Sequence, residues 1–254
     1  MRILEAENLD IHFSSSSSGK RIHAVRDVSL YLNKGEFLGL VGESGCGKST
    51  VARALAGLIK PDHGRIFLKG EELPSPYPRS VYQFIQMVFQ LPQDSFDPRR
   101  TIESCITDIQ VNFGVKRPEA KKRAARYLEQ TGLDESFLRK YPHQMSGGEC
   151  QRAAISRAIA VQPDVLICDE ITSALDVSVQ AQIVELLRKL KTELGLAALF
   201  ISHDLALVRG LCDRVLVMND GQIVEDGSVC QVMEQPREEY TKFLLDSVLE
   251  IGRG

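Results

Sequence analysis

No apolar stretch in this chain approaches the roughly 18–20 residues that a helix needs to cross a bilayer. The opening Met1-Arg2-Ile3-Leu4-Glu5 lacks the features of a secretory signal. Paired cysteines are missing too. The six cysteines, Cys46, Cys105, Cys150, Cys168, Cys212 and Cys230, form no C-x-x-C pair. That spacing excludes a disulfide framework and the usual zinc or iron–sulfur patterns, and it suits a reducing cytoplasm. Charge of one sign is also scarce. The net charge is −3 with both signs mixed along the chain, so no basic stripe is available to neutralise nucleic-acid phosphates. The densest basic stretch, Lys116, Arg117, Lys121, Lys122, Arg123 and Arg126, is expected to be the wet face of a helix, with Ala120, Ala124, Ala125 and Leu128 on its less polar side. Neither internal repeats nor sustained heptads occur. What remains is 254 residues able to bury a substantial core.

The apolar pattern predicts where the strands lie. Residues 3–13 and 24–32 alternate partially and read as strands, joined by a flexible loop from Ser14 to Ser18 with Gly19 and Lys20. Residues 63–69 add another strand. Short continuous apolar runs at Phe37–Val41, 164–168 and Ala197–Ile201 alternate with helical patterns at Thr50–Ala56 and 180–194, which implies a parallel, covered sheet. Residues 215–218 and 222–225 flank Asn219-Asp220-Gly221 as a hairpin. From about Pro98 to Ala160 the pattern is mostly helical, with turns near Pro118, at Gly132-Leu133-Asp134 and at Tyr141-Pro142-His143.

One segment carries chemistry in its spacing. Gly42-Glu43-Ser44-Gly45-Cys46-Gly47-Lys48-Ser49 is a complete phosphate-binding loop, set between a strand and a helix that continues through Thr50. Glycines let backbone N–H groups turn toward phosphate oxygens, and the helix end adds partial positive charge. Lys48 is expected to reach the β- and γ-phosphates, and the Ser49 hydroxyl to ligate Mg²⁺. Taken alone, the loop says that a nucleoside triphosphate binds. Further along, the strand at 165–168 runs into Asp169-Glu170, two carboxylates where α/β sheets place ligands. Asp169 can hold Mg²⁺ while Glu170 polarises the attacking water. Ser146-Gly147-Gly148-Glu149 then opens an Arg/Ala-rich helix, either as an ordinary serine cap or as a second phosphate cradle. A single nucleotide does not need two cradles, so the second can serve a nucleotide held by another molecule.

With these motifs in order, the chain resembles the ATP-binding-cassette (ABC) ATPases over nearly its whole length. Ser146–Glu149 with Cys150-Gln151-Arg152 resembles the family's signature, and Asp169-Glu170 its Walker B carboxylates. Met87-Val88-Phe89-Gln90 resembles the Q-loop, Ser173-Ala174-Leu175-Asp176 the D-loop, and Ile201-Ser202-His203-Asp204 the switch histidine. The resemblance implies a RecA-like P-loop NTPase core, α/β in class, with an antiparallel β subdomain and an inserted α-helical subdomain. The core and β subdomain would take residues 1–90 and 161–235, the helical subdomain 91–160, and a C-terminal helical tail 236–254. It also implies a head-to-tail dimer with ATP sandwiched between the phosphate loop of one subunit and the signature of the other. Ser146, Gly147 and Gly148 would then contact the partner's nucleotide, and Asp176 would lie across the interface. Gln90 would sense Mg²⁺ and the attacking water, His203 would contact the γ-phosphate, and Phe13, with His23 as its rival, would stack on adenine.

Two positions depart from the family pattern. Glu149 stands where Gln is usual, and Ile171 follows Glu170 where Pro is usual. A carboxylate suits a helix N-terminus but repels a triphosphate, so a slower or regulatory cassette stays open as an alternative. Longer stretches, including Asp97-Pro98-Arg99, Ser173–Gln182 and Tyr240-Thr241-Lys242-Phe243-Leu244-Leu245, resemble the ATPase subunits of bacterial oligopeptide, dipeptide and nickel importers. They are most similar to the second of the two unlike ATPases in such systems. That resemblance implies a second ABC ATPase subunit, two membrane permeases and, indirectly, an extracytoplasmic solute-binding protein as partners, with the chain on the cytoplasmic face of the inner membrane. Nucleic acid is not expected. Many relatives end in a cysteine-bearing extension for an iron–sulfur cluster; this chain ends at Gly254 without one, so no cluster is expected.

Overall fold

A computed structural model describes residues 1–14 and 21–251. The serine-rich loop expected between the first two strands lies, after Ser14, outside the described residues. Two sheets organise the chain. The strands β1 (Arg2–Ser14) and β2 (Arg21–Asn33) pair antiparallel. After β3 (Phe37–Val41) and helix α1 (Lys48–Leu55), strand β4 (His63–Leu68) joins β1 and the short β5 (Glu71–Glu72) joins β4. The antiparallel order is β2-β1-β4-β5.

The second sheet forms later. A one-turn α2 (Val81–Phe84) leads into β6 (Ile85–Val88), a strand the sequence reading treated only as the approach to Gln90. Helices α3 (Ile102–Asn112), α4 (Arg117–Gln130) and α5 (Gly147–Ile159) follow. Then come β7 (Val165–Asp169), α6 (Val177–Leu194), β8 (Ala197–Ile201), α7 (Leu205–Leu211), β9 (Arg214–Asn219) and β10 (Gln222–Ser228). Helices α8 (Val229–Glu234) and α9 (Glu239–Ile251) end the described chain. The sheet order is β10-β9-β3-β8-β7-β6, parallel except for β10.

Every residue of β3, β7 and β8 is buried, because the sheet is covered on both faces. The two-residue period of a strand divides these side chains between two cores. Phe37, Leu166, Cys168 and Phe200 pack with the helices α3 to α6. Leu38, Leu40, Ile167 and Leu199 pack with α1 and the antiparallel sheet. The helical stretch behaves as its pattern required. Ala120, Ala124, Tyr127 and Leu128 of α4 are buried, while Lys121, Lys122, Arg123 and Arg126 face solvent. Lys121 is paired with Glu103 and Arg123 with Glu119, and Arg117 at the start of the helix with Asp108.

Two boundaries differ from expectation. Pro118 sits in the first turn of α4, where its missing N–H costs no helical bond; the turn precedes it. Helix α6 starts at Val177 because the Asp176 carboxylate caps it, accepting the Val179 N–H at 2.9 Å. Among the described residues no helix is long and apolar enough to cross a membrane.

Arg214 fastens the sheets together. Its side chain, 13% exposed, donates to Glu36 at 2.9 Å and to both oxygens of Asp226 at 2.8 Å. It also donates to the Tyr31 carbonyl and lies 4.0 Å over the Tyr31 ring. Residues of β2, β9 and β10 thus meet beside the start of β3, the strand that carries the phosphate loop. Removing one member of a largely buried ionic network leaves its partners uncompensated. Arg214→Ala is therefore expected to cost about 3 kcal/mol, read from the denaturant midpoint. A loss no larger than an exposed ion pair gives, under about 1 kcal/mol, would contradict this role.

Candidate active site

The loop after β3 is held in shape by close backbone approaches. Gly42 (φ 150) and Gly47 (φ 110) lie in the region that favours glycine. A Cβ on Gly42 would stand 2.1 Å from the Met218 carbonyl oxygen, and one on Gly47 2.3 Å from that of Ala24. Strands β9 and β2 therefore press on the loop from two sides, and neither glycine can be replaced without moving backbone. The Gly221 N–H adds a bond to the Cys46 carbonyl at 3.0 Å.

A cleft of about 500 Å³ opens over this loop. It is lined by Ser44, Gly45, Gly47, Lys48, Ser49 and Thr50, with Phe13, Ile22, Ala24, Gln90 and Glu170 around them. Three of its residues open α1; the Thr50 N–H already bonds the Gly47 carbonyl at 3.0 Å, while the first N–H groups of a helix lack acceptors in the preceding turn. The Lys48 ammonium is buried and donates to the Gly42 and Glu43 carbonyls at 2.8 and 2.7 Å. Cys46 lies beside it, with Sγ 3.8 Å from Nζ. Burial nevertheless pushes the thiol up, so it stays protonated and has no evident chemical task.

Ser49 and Asp169 meet at the base of the cleft. The Ser49 hydroxyl donates to Asp169 Oδ1 at 2.8 Å. Asp169 is 4% exposed, and burial pushes its carboxyl above the usual range although Ser49 and Arg53 oppose the shift. A buried carboxylate beside a hydroxyl is a set of hard oxygen donors, which fits Mg²⁺.

Glu170 gathers the remaining polar groups. It follows β7 with a φ of 49, uncommon for a residue with a side chain. Its N–H donates to the Ile201 carbonyl at 3.1 Å, which fixes it to the end of β8. Gln90 Nε2 lies 3.3 Å from its carboxylate and His203 Nδ1 3.9 Å from the same oxygen. His203 is 57% exposed, leaving its ring free to swing toward a ligand. Ser173, which sequence reasoning noted only as the start of a motif, links this group. Gln90 donates to its hydroxyl at 3.2 Å, and that hydroxyl donates to the Glu170 carbonyl at 2.9 Å. Ile171 is buried in the core, so having Ile there instead of Pro places no new group in the cleft.

Of the rival rings, Phe13 lines the cleft and is 40% exposed, paired across strands with the exposed Ile22. His23 does not line the cleft. Its Nε2 lies 2.7 Å from Asp10, and its ring stacks on His12 at 4.0 Å.

Ser146, Gly147, Gly148 and Asp176 are not brought to the cleft. They form a separate cluster at the N-termini of α5 and α6. Ser146 accepts the Glu149 N–H at 3.3 Å, and Glu149 accepts the Ser146 N–H at 2.8 Å, a reciprocal capping box. That backbone bond holds the Glu149 carboxyl below its ordinary range. A Cβ on Gly148 would lie 2.4 Å from Val179 Cγ1, so the two helix starts touch. One chain therefore carries a cleft over its phosphate loop and, elsewhere, a separate exposed helix start at Ser146.

Known proteins share these features. Residues 25–173 match the model of the ABC transporter family. The chain is 43% identical to the oligopeptide transport ATP-binding protein OppF of Escherichia coli K12, over 97% of this chain and 77% of that protein. It is 44% identical to the glutathione import ATP-binding protein GsiA of Pectobacterium atrosepticum, over 97% of this chain but 41% of the larger relative. Among solved structures, it superposes with a TM-score of 0.79 and 28% identity on an ATP-binding cassette dimer in a post-hydrolysis state with ADP and Pi, covering 89% of this chain and 99% of that one. It also superposes on CbiO1 of Clostridium perfringens, part of the ABC transporter complex cbiONQ, at a TM-score of 0.80 and 29% identity, covering 99% and 98%.

The raised carboxyl of Asp169 makes a signed prediction. Its folded-state value lies above its unfolded one, so ionisation of Asp169 disfavours folding of the ligand-free chain. Asp169→Asn should thus raise the thermal midpoint of the ligand-free protein at neutral pH. That advantage should close as pH falls through the folded-state value, where the wild-type carboxyl becomes neutral too. The same variant should lose the Mg²⁺-dependent part of nucleotide binding. A ligand-free midpoint that falls at neutral pH would contradict the assignment of burial as the dominant cause.

Proposed function

The chain belongs to the ABC transporter family, and from that premise we propose how its residues divide the work of ATP hydrolysis. It is an ATPase cassette that energises a membrane importer. Peptides are the cargo class its relatives favour, since both oligopeptide and glutathione systems lie at similar identity. Nickel or metal chelates are the remaining family-level option. A regulatory, inactive cassette is not favoured, because Lys48, Glu170 and His203 stand in place around the cleft.

In this reading the loop Gly42–Thr50, through N–H groups other than the Glu43 N–H that Tyr240 accepts, and Lys48 cradle the triphosphate, and Phe13 covers the adenine. Ser49, Asp169 and Gln90 would hold Mg²⁺ through their side-chain oxygens, and the ion would withdraw charge from the phosphate oxygens. Glu170 takes a proton from the attacking water. Its left-handed backbone and its bond to β8 hold that carboxylate at the strand end, where a water can sit between it and the γ-phosphate. His203 orients the γ-phosphate through its exposed ring. Gln90 and Ser173 connect this arrangement to residues 91–160, taken as the helical subdomain, with residues 1–90 and 161–235 as the core and its β subdomain and residues 236–254 as the tail.

The observation that carries the proposal is the separation of the two phosphate-binding edges on one chain. Ser146, whose own N–H is taken by Glu149, opens a helix with Gly147 and Gly148 outside the cleft, so in this reading a second ABC ATPase subunit supplies the edge that each cleft lacks. Asp176 then lies at that interface. Closure around ATP and reopening after product release move the helical subdomain, and two permease subunits at the cytoplasmic membrane face receive that motion. A solute-binding protein outside the membrane engages the permeases, not this chain.

Two variants test the roles. Glu170→Gln should lower ATP turnover by about 10²–10⁴-fold while nucleotide binding survives; unchanged turnover would remove Glu170 from its role. Glu149→Gln keeps the reciprocal cap but removes the charge near the partner's triphosphate. It should leave the thermal midpoint nearly unchanged and raise turnover of the paired cassettes. A drop in turnover would mean that the carboxylate assists the site.

A further inference from the structure

The run beginning at Tyr240 marks the chain's resemblance to its relatives but has no part in the hydrolytic scheme above. In the structure it reaches the phosphate loop. The Glu43 N–H donates to the Tyr240 hydroxyl at 3.1 Å, although 197 residues separate the two along the chain. Glu43 N–H and Gly42 C=O belong to one trans peptide plane and point in opposite directions. On the other side of that plane, the Gly42 carbonyl accepts from Lys48 at 2.8 Å. One peptide unit is therefore held between a phenol and the loop lysine.

Tyr240 is itself braced. The chain leading into α9 is tied to β10, because the buried Glu225 carboxylate accepts the N–H groups of Arg237 and Glu238 at 2.9 and 3.2 Å. Tyr240, Leu244 and Leu245 pack against the larger core. Burial also raises the phenol above its usual range, so it stays a neutral hydroxyl able to accept from an N–H.

We propose that Tyr240 is a positioning residue for Lys48, acting through the Gly42–Glu43 peptide. An ammonium has three N–H donors. Two are used on the Gly42 and Glu43 carbonyls; the Cys46 Sγ at 3.8 Å is a weak acceptor that a phosphate oxygen displaces, and the two carbonyls set the direction in which the third donor can be offered. With the phenol in place, the peptide is braced against rotation about its flanking bonds, and the remaining donor is kept available for a phosphate oxygen. Without it, the Gly42 carbonyl is free to turn, and Lys48 spreads over several directions. The C-terminal helix thereby tunes phosphate affinity without touching nucleotide. This inference rests on the reading of the cleft as a triphosphate site.

A double-mutant cycle tests it on the full chain. Mg-ATP binding is measured by titration and, for weak variants, by the rise in thermal midpoint at millimolar Mg-ATP. Tyr240→Phe, which keeps the ring, should weaken Mg-ATP binding about fivefold, the equivalent of one net hydrogen bond. In a Lys48→Ala background the same change should have almost no further effect, because the group it orients is gone. Phe243→Ala, on the exposed side of the same helix, should leave binding unchanged. Additive losses from Tyr240→Phe and Lys48→Ala, no loss from Tyr240→Phe, or an equal loss from Phe243→Ala would each overturn the proposal. If Lys48→Ala alone leaves binding intact, the triphosphate reading falls and this inference with it. If only Tyr240→Phe is silent, the triphosphate reading stands.

Discussion

A nucleoside triphosphate brings more negative charge than one ammonium can balance, and Lys48 is the one cation among the described residues lining the cleft. Glu170 stands on the same wall and adds a negative charge. The proposed scheme meets the shortfall with oriented backbone N–H groups, a divalent cation and a helix end from a second cassette. Candidate provisions for each are present. The glycines shape the loop, Ser49 and Asp169 pair at the base, and a helix end begins at Ser146 outside the cleft. The split site proposed above answers that electrostatic demand.

The parallel sheet makes this possible by ending several strands at one level. Val88 pairs with Cys168, Asp169 with Ile201, and Leu40 also with Ile201. The residues just beyond those ends are Gln90, Glu170, His203 and the phosphate loop. Ligands gather at the carboxyl ends of such strands because side chains from distant parts of the chain arrive there together. What keeps the level constant is the covering on both faces, which makes register a matter of core packing. A slip of one residue in β3 would exchange Phe37 and Leu38 between two cores of different shape.

Most of this was legible in the chain because it is local. The phosphate loop, the apolar runs of β3, β7 and β8, and the serine cap of α5 all declare themselves within a few residues, where strand period and capping chemistry apply. The strand β6 was missed because four residues are too short for a period to show. The start of α6 was misjudged because Asp176 had been considered for an interface, not as a helix cap. Glu149 was legible only in part: its sequence suggests repulsion, while the structure shows its carboxylate held by the Ser146 N–H. The bonds of Tyr240 to Glu43 and of Arg214 to Glu36 and Tyr31 join residues far apart in sequence. No periodicity carries such pairings, so they become visible only once the chain is folded.

Whether two chains complete each other's pockets decides the account. The direct measurement is a structure of the assembled importer held with Mg-ATP, in which the distance from Ser146 Oγ of one cassette to the γ-phosphate gripped by the facing Lys48 is read. The account predicts hydrogen-bond contact between them, with Gly147 and Gly148 amides on the same phosphate. A triphosphate fully bound by Lys48 while every Ser146 stays on solvent would contradict it.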